Sequence, residues 1–174
     1  GVRHVVQDEP DDQFLVREEF VRGIGKLAKF GLVYDLLIFP HQLPAAIKLV
    51  QMFPEQSFVL DHCAKPQIKN GEMQPWAGLI RDLAKSSNVT CKVSGIVTEA
   101  DWQSWSLSTL QPYLEVIKES FGPNRLMFGS DWPVCLHASS YERWLNDMRT
   151  WVADWSTQEQ SAFFAETAKR VYGV

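Results

Sequence analysis

Five short apolar runs alternate along the chain with stretches of helical spacing. The first, Val2-Arg3-His4-Val5-Val6, alternates and breaks at Gln7-Asp8-Glu9-Pro10-Asp11-Asp12, which predicts a strand and an acidic loop. Over 14–30 the apolar residues keep near-helical spacing, and Gly31 stands where a helix would end. Residues 32–39 are almost continuously apolar, as in a strand covered on both faces, and Pro40-His41 closes the run. Residues 44–53 read as a helix, with Pro44 tolerable in its first turn. A third strand over 58–62 ends in Asp61-His62, a helix spans 76–85, and a fourth strand over 89–93 stops at Ser94-Gly95. Residues 96–106 form a long polar and aromatic loop, a kind of connection that is often functional. The period over 107–121 is helical, although Pro112 predicts a break or a true start near it. Then Leu126-Met127-Phe128-Gly129-Ser130-Asp131-Trp132-Pro133 reads as a fifth strand that delivers Asp131 to its C-terminal end. Helices over 140–151 and 157–172 follow, the second begun by Thr157 and Gln160 as a capping box.

Strands that alternate with helices predict an α/β fold with a parallel sheet and right-handed crossovers. Two architectures satisfy that rhythm, a doubly wound sheet and part of an eight-stranded barrel. A doubly wound dinucleotide binder wants a glycine-rich turn after its first strand, but Gly23 and Gly25 lie in a helix-like segment with no third glycine. The polar residues favour the barrel. Arg3 and His4 fall in the first strand, Tyr34 and Asp35 in the second with His41 beyond it, His62 at the third, Lys92 and Ser94 at the fourth and Asp131 at the fifth. Polar groups at the C-terminal ends of successive strands are what a barrel active site requires.

Composition narrows the functional classes. The chain has the length of one ordinary domain, read here as 1–174, and its 45% hydrophobic content supports a sizeable core. A formal charge of -4 with no Arg/Lys cluster argues against nucleic acid as a partner. No apolar run approaches the roughly 20 residues that span a bilayer, so no membrane segment is expected. Cys63, Cys91 and Cys135 are an odd number at spacings unlike a zinc knuckle, which fits reduced thiols and a cytoplasmic location. Of the seven tryptophans, Trp144, Trp151 and Trp155 are expected in the core, whereas Trp132 beside Asp131 is expected to line a pocket.

If neighbouring strands are parallel, His62 and Asp131 open into one mouth with Lys92 or Ser94 between them. A carboxylate there can take a proton from water attacking a carbonyl, and an imidazole can orient that water, bind metal or stabilise developing charge. Arg3 can hold a carboxylate or a polar ring substituent. Each assignment has a structural alternative: Asp131 as a cap, His62 as a satisfied core histidine, Lys92 as an ion-pair partner. Asp61 is expected to face away from His62 and to anchor the adjacent helix. His4, His41 and His137 are expected to be structural, although His41 in a strand-end loop can reach the mouth. With no His-x-His pair, the chain alone does not define a zinc site.

The segments 1–7, 58–66, 91–95 and 125–133 resemble, in order, the amidohydrolase-related proteins of the sugar-lactonase and 2-pyrone-4,6-dicarboxylate lactonase branch. The resemblance implies a (β/α)8 TIM-barrel-like fold, of which this chain holds about five parallel strands, the fourth to the eighth, with the N-terminal strands missing. It implies a hydrolase that opens a sugar lactone, with the alternatives of a metal-dependent decarboxylase or a noncatalytic binding or assembly fragment. Carried over by residue, Asp131 resembles the base that activates water, His62 the histidine of a metal or carbonyl-polarising site, and Arg3 a substrate contact. Tyr34, His41, Lys92 and Trp132 complete the expected substrate-binding set. One divalent metal such as zinc would sit on His62 and Asp131, although a metal-free mechanism is also implied for some members. The open edges at Val2–Val6 and Leu126–Phe128 predict either a missing N-terminal segment or a homodimer.

Overall fold

The computed structural model describes residues 1–174. Five strands form one sheet: β1 (Val2–Val5), β2 (Tyr34–Leu37), β3 (Phe58–Leu60), β4 (Val89–Val93) and β5 (Leu126–Phe128). Each pairs in parallel with the next, so the spatial order is the sequence order. A doubly wound sheet reverses at a switch point; this one never reverses, and steady addition of twisted strands is the progression of a partial barrel. The helices α1 (Glu18–Leu27), α2 (Leu43–Met52), α3 (Trp76–Ala84), α4 (Leu107–Phe121) and α5 (Tyr141–Trp151) come between or after the strands.

Period-two alternation sorts the sheet into two faces. Tyr34, Leu36, Phe58, Leu60, Val89, Cys91, Val93 and Leu126 point toward the helices and join a core of 43 buried residues. Trp144, Trp151 and Trp155 are in that core, as expected. Val33, Val59 and Met127 point the other way and form a separate small cluster. That second face has its own cover. After α6 (Thr157–Ser161) and a π-helical turn over Ala162–Glu166, α7 (Thr167–Tyr172) lays Ala168, Val171 and Tyr172 against the small cluster.

Two expectations are corrected in detail. The capping box of α6 is made by Ser156 and Glu159, not Thr157 and Gln160: the Glu159 carboxylate accepts from Ser156 N at 2.9 Å, and Ser156 Oγ accepts from Glu159 N at 3.3 Å. Pro112 breaks nothing. It lies within a continuous α4 whose Leu110, Tyr113, Leu114 and Ile117 are buried, so packing of the apolar face outweighs the missing N–H.

Polar side chains at the N-terminal edge of the sheet are structural. Asn88 Nδ2 donates to the carbonyls of Val50, Phe53 and Gln56 at 2.9–3.2 Å, tying the end of α2 to the start of β4. The Arg125 guanidinium reaches the carbonyls of Ala84, Ser86 and Val89 at 2.9–3.1 Å, closing the end of α3 against β5. The C-terminal edge is therefore left free for chemistry.

Replacing Val171 with Asp would bring an unpaired carboxylate against Val33, Val59 and Met127. Urea denaturation should show a loss of about 2–3 kcal/mol. Lys169→Ala, which removes only an exposed pair with Glu166, should change stability by less than about 0.5 kcal/mol.

Candidate active site

The residues after β3 do not continue as a strand. His62, Cys63, Ala64 and Lys65 all have left-handed backbone angles, with φ between 49° and 55°. Each such non-glycine residue costs about 1–2 kcal/mol, so the turn persists only because its surroundings hold it. Trp76 Nε1 donates to Cys63 O at 2.8 Å, Lys65 Nζ meets Glu99 Oε1 at 2.6 Å, and Cys63 and Ala64 are buried. Asp131, after β5, is also left-handed at φ 55°.

These two turns bring His62 and Asp131 face to face. His62 Nε2 lies 3.5 Å from Asp131 Oδ1, and both side chains are largely buried. The other His62 nitrogen, Nδ1, is 2.8 Å from the Ser94 hydroxyl, itself fully buried. A carboxylate facing Nε2 favours the tautomer with the proton on Nε2, so we assign Ser94 as donor to Nδ1. Burial pushes the His62 pKa down, against the opposing pull of the Asp131 and Asp61 carboxylates. The ring is therefore held neutral near pH 7. Asp131 Oδ2 is buried without a hydrogen-bond partner, an acceptor left free at the centre of the site. Two glycines make room. A Cβ on Gly95, at φ 63°, would lie 2.8 Å from His62 Cγ, and one on Gly129 would lie 2.9 Å from Ser94 Cβ.

Beside this pair runs a chain of charges on the same face. Asp61 is fully buried and accepts from Lys92 Nζ at 2.5 Å and from Arg3 Nη1 at 3.0 Å. Lys92 also lies 3.5 Å from Asp35, whose other oxygen accepts from the Tyr172 hydroxyl at 2.9 Å. Burial alone would lower the Lys92 pKa, but Asp61 and Asp35 more than reverse it, and the ammonium is held charged. Burial raises the Asp35 pKa despite the nearby Lys92.

Of the expected set, the structure brings together His62, Asp131, Lys92 and Arg3. Trp132, directly after Asp131, is 65% exposed. Tyr34 is a correction: it is 2% exposed on the helix-facing side of β2, packed edge-on to Phe20 and Phe58, because its neighbour Asp35 takes the inner position. His41 is a second, since it lies on the surface 3.5 Å from Asp12 and stacks on Phe39. Asp61 is a third. Strand parity from Val59 turns Asp61 inward, and the left-handed turn then swings His62 to the same side, where continued extension would have sent it outward. Tyr172 was missed because nothing local marks a C-terminal helix as the cover of the inner face.

His62 Nε2 and Asp131 converge, but no group of three His, Cys, Asp or Glu side chains does so. Catalytic zinc takes three protein ligands, so these residues do not by themselves complete such a site.

An ordered run of parallel strands, with a carboxylate and an imidazole beyond their C-terminal ends and two cations on the same face, is the arrangement of a partial TIM-barrel-like scaffold. The family described as Amidohydrolase matches residues 1–174, and the chain belongs to it. An L-fucono-1,5-lactonase of Burkholderia multivorans is 38% identical over 185 residues, covering 100% of this chain and 62% of its own length. An L-rhamnono-gamma-lactonase of Scheffersomyces stipitis is 26% identical, covering 78% of this chain and 46% of its own length. A crystal structure of an amidohydrolase from Burkholderia multivorans with bound zinc superposes with a TM-score of 0.94 at 39% identity, covering 100% of this chain and 64% of that one. The chain thus spans at most 62% of the length of the curated relatives it matches.

Gly95→Ala should destabilise the protein by about 2–4 kcal/mol, since the methyl adds a left-handed penalty to a clash with the imidazole; thermal melts and denaturant titration measure it. His62 also makes stability depend on pH. Its folded pKa lies below its unfolded value of about 6.5, so on acidification the unfolded chain takes up the proton first. Stability should fall as pH drops through about 6.5 toward the folded pKa and then level off. A His62→Gln variant should show a shallower slope in that window.

Proposed function

We propose that this chain carries the reacting residues of a lactone hydrolase, with β1 to β5 as strands four to eight of an eight-stranded barrel. The observation that carries the reading is the free, buried Asp131 Oδ2 beside the neutral His62. A carboxylate oxygen with no partner can hold a water and take its proton as that water attacks a carbonyl beside His62.

In this reading Asp131 takes a proton from the attacking water as its oxygen bonds to the lactone carbonyl carbon. His62, holding its proton on Nε2, donates a hydrogen bond to the developing oxyanion, and Ser94 keeps the ring in that tautomer. Collapse of the tetrahedral intermediate breaks the bond to the ring oxygen, and the proton held by Asp131 passes to that leaving oxygen. The products are a hydroxyl and a carboxylic acid, which ionises at neutral pH. Arg3, half-exposed and bonded to Asp61 through one nitrogen, retains donors for ring hydroxyls. Lys92 is occupied by Asp61 and Asp35, and its role is to neutralise those two carboxylates on the inner face. The lactonases among the relatives support a cyclic ester of a sugar acid as the substrate class.

Asp131→Asn in the full-length protein should lower kcat for lactone opening by about 10²–10⁴-fold while the melting curve changes little. Acid release from a fucono- or rhamnono-lactone, followed by pH indicator, is the measurement. Turnover within a few-fold of the native enzyme would sink the assignment, and carbon dioxide release without acid release would move the chemistry to decarboxylation.

A further inference from the structure

A second concave site lies outside the His62 and Asp131 pair. A cleft of about 630 Å³ opens between the segment after β3 and the 96–106 loop after β4, lined by Gln67, Lys69, Thr98, Glu99, Asp101 and Trp102 among others. Trp102 is its notable wall. A tryptophan that is 52% exposed leaves a large apolar face in water, and this one is not loose. Its Nε1 donates to Thr98 O at 2.8 Å, and the indole stacks on His137 with ring centroids 5.4 Å apart. One face is covered, the N–H is spent, and the uncovered face is fixed in place. Immobilising it costs a ligand little, because the ring is already ordered.

The polar lining is planar and of both signs of hydrogen bonding. Gln67 Oε1 accepts from Asn70 at 3.1 Å, which leaves its NH₂ as a donor. Glu99 Oε1 is taken by Lys65 at 2.6 Å and Thr98 at 3.3 Å, which leaves its second oxygen as an acceptor. Asp101 accepts from the Gln103 and Ser104 amides and is held in a fixed orientation. The lining sets one cation, Lys69, against the Glu99 and Asp101 carboxylates, and Lys65 pairs with Glu99 at 2.6 Å from outside the lining. Such a lining, with its carboxylate excess, does not suit an anion. A flat aromatic face beside amide and carboxylate groups suits a ring whose C–H groups lie on one face and whose hydroxyls radiate from its edge.

We propose that this cleft is a binding site for a neutral monosaccharide ring, which stacks on Trp102 and is held at its hydroxyls by Gln67, Glu99 and Asp101. Neither His62 nor Asp131 lines it, so the site stands apart from the hydrolytic reading and does not depend on it.

Saturation-transfer NMR and calorimetric titration with L-fucose and D-galactose as probes, and galactonate as the anionic control, test the proposal. Both neutral sugars should bind saturably at about millimolar Kd, and galactonate about tenfold more weakly or not at all. Trp102→Ala should weaken the neutral sugars at least tenfold, whereas Trp102→Phe, which keeps a ring, should stay within about threefold of native. Gln67→Ala, at an exposed position, should also weaken binding and covers the case of a Trp102→Ala protein that does not fold. Asp131→Asn should bind as native does, whatever its turnover. The proposal is overturned if neither neutral sugar saturates, if Trp102→Ala or Gln67→Ala binds as tightly as native, or if binding disappears in Asp131→Asn.

Discussion

A fully buried carboxylate with two cations on it organises the working face of this sheet. Asp61 alone would be untenable where it sits, since an uncompensated charge shut off from water costs several kcal/mol. Lys92 from β4 and Arg3 from β1 neutralise it, and Lys92 reaches on to Asp35 of β2. Four of the five strands are thereby joined across the inner face by charge, independently of the backbone ladder. Removing Lys92 would leave Asp61 and Asp35 unbalanced, a loss of about 3–5 kcal/mol where such pairs are buried, whereas half-exposed Arg3 is screened by water and its loss costs less. His62 is the residue after Asp61, so whatever holds Asp61 also sets where the imidazole starts.

The second constraint is backbone strain placed beside that anchor. Four consecutive left-handed residues follow Asp61, and Asp131 is left-handed opposite them. Neither turn is favourable locally, because none of these residues is glycine. They are maintained by Trp76, by the Lys65–Glu99 pair and by the space that Gly95 and Gly129 leave for His62 and Ser94. The result is an imidazole with Nδ1 committed to a hydroxyl and Nε2 left 3.5 Å from a carboxylate, one oxygen of which has nothing bound to it. Glu99 of that pair also lines the neighbouring cleft, so the residue that supports the strained turn serves two concave surfaces.

The order of strands and helices, the parallel sheet that never reverses, and the arrival of His62 and Asp131 at strand ends were legible along the chain. Periodicity is a local property: apolar residues at spacing two or near 3.6 report which backbone they fit, and a polar break reports where burial stops. Even Pro112 and the start of α6 were misread only in detail, because packing and a neighbouring serine competed with the local signal.

Which face each polar residue takes was decided by tertiary structure. Strand parity holds only while the chain stays extended, and whether it stays extended after Leu60 depends on Trp76 and Glu99, which are far away in sequence. That is why Asp61 and His62, adjacent in the chain, share one side, and why Tyr34 lies in the core while Asp35 lies in the charge chain. The cover that α7 places on the inner face, with Tyr172 on Asp35, joins residues from opposite ends of the chain and has no local signature. The sequence by itself determined the elements and the candidates; the fold chose among them, because long-range contacts decide where a strand ends and which way its last side chain turns.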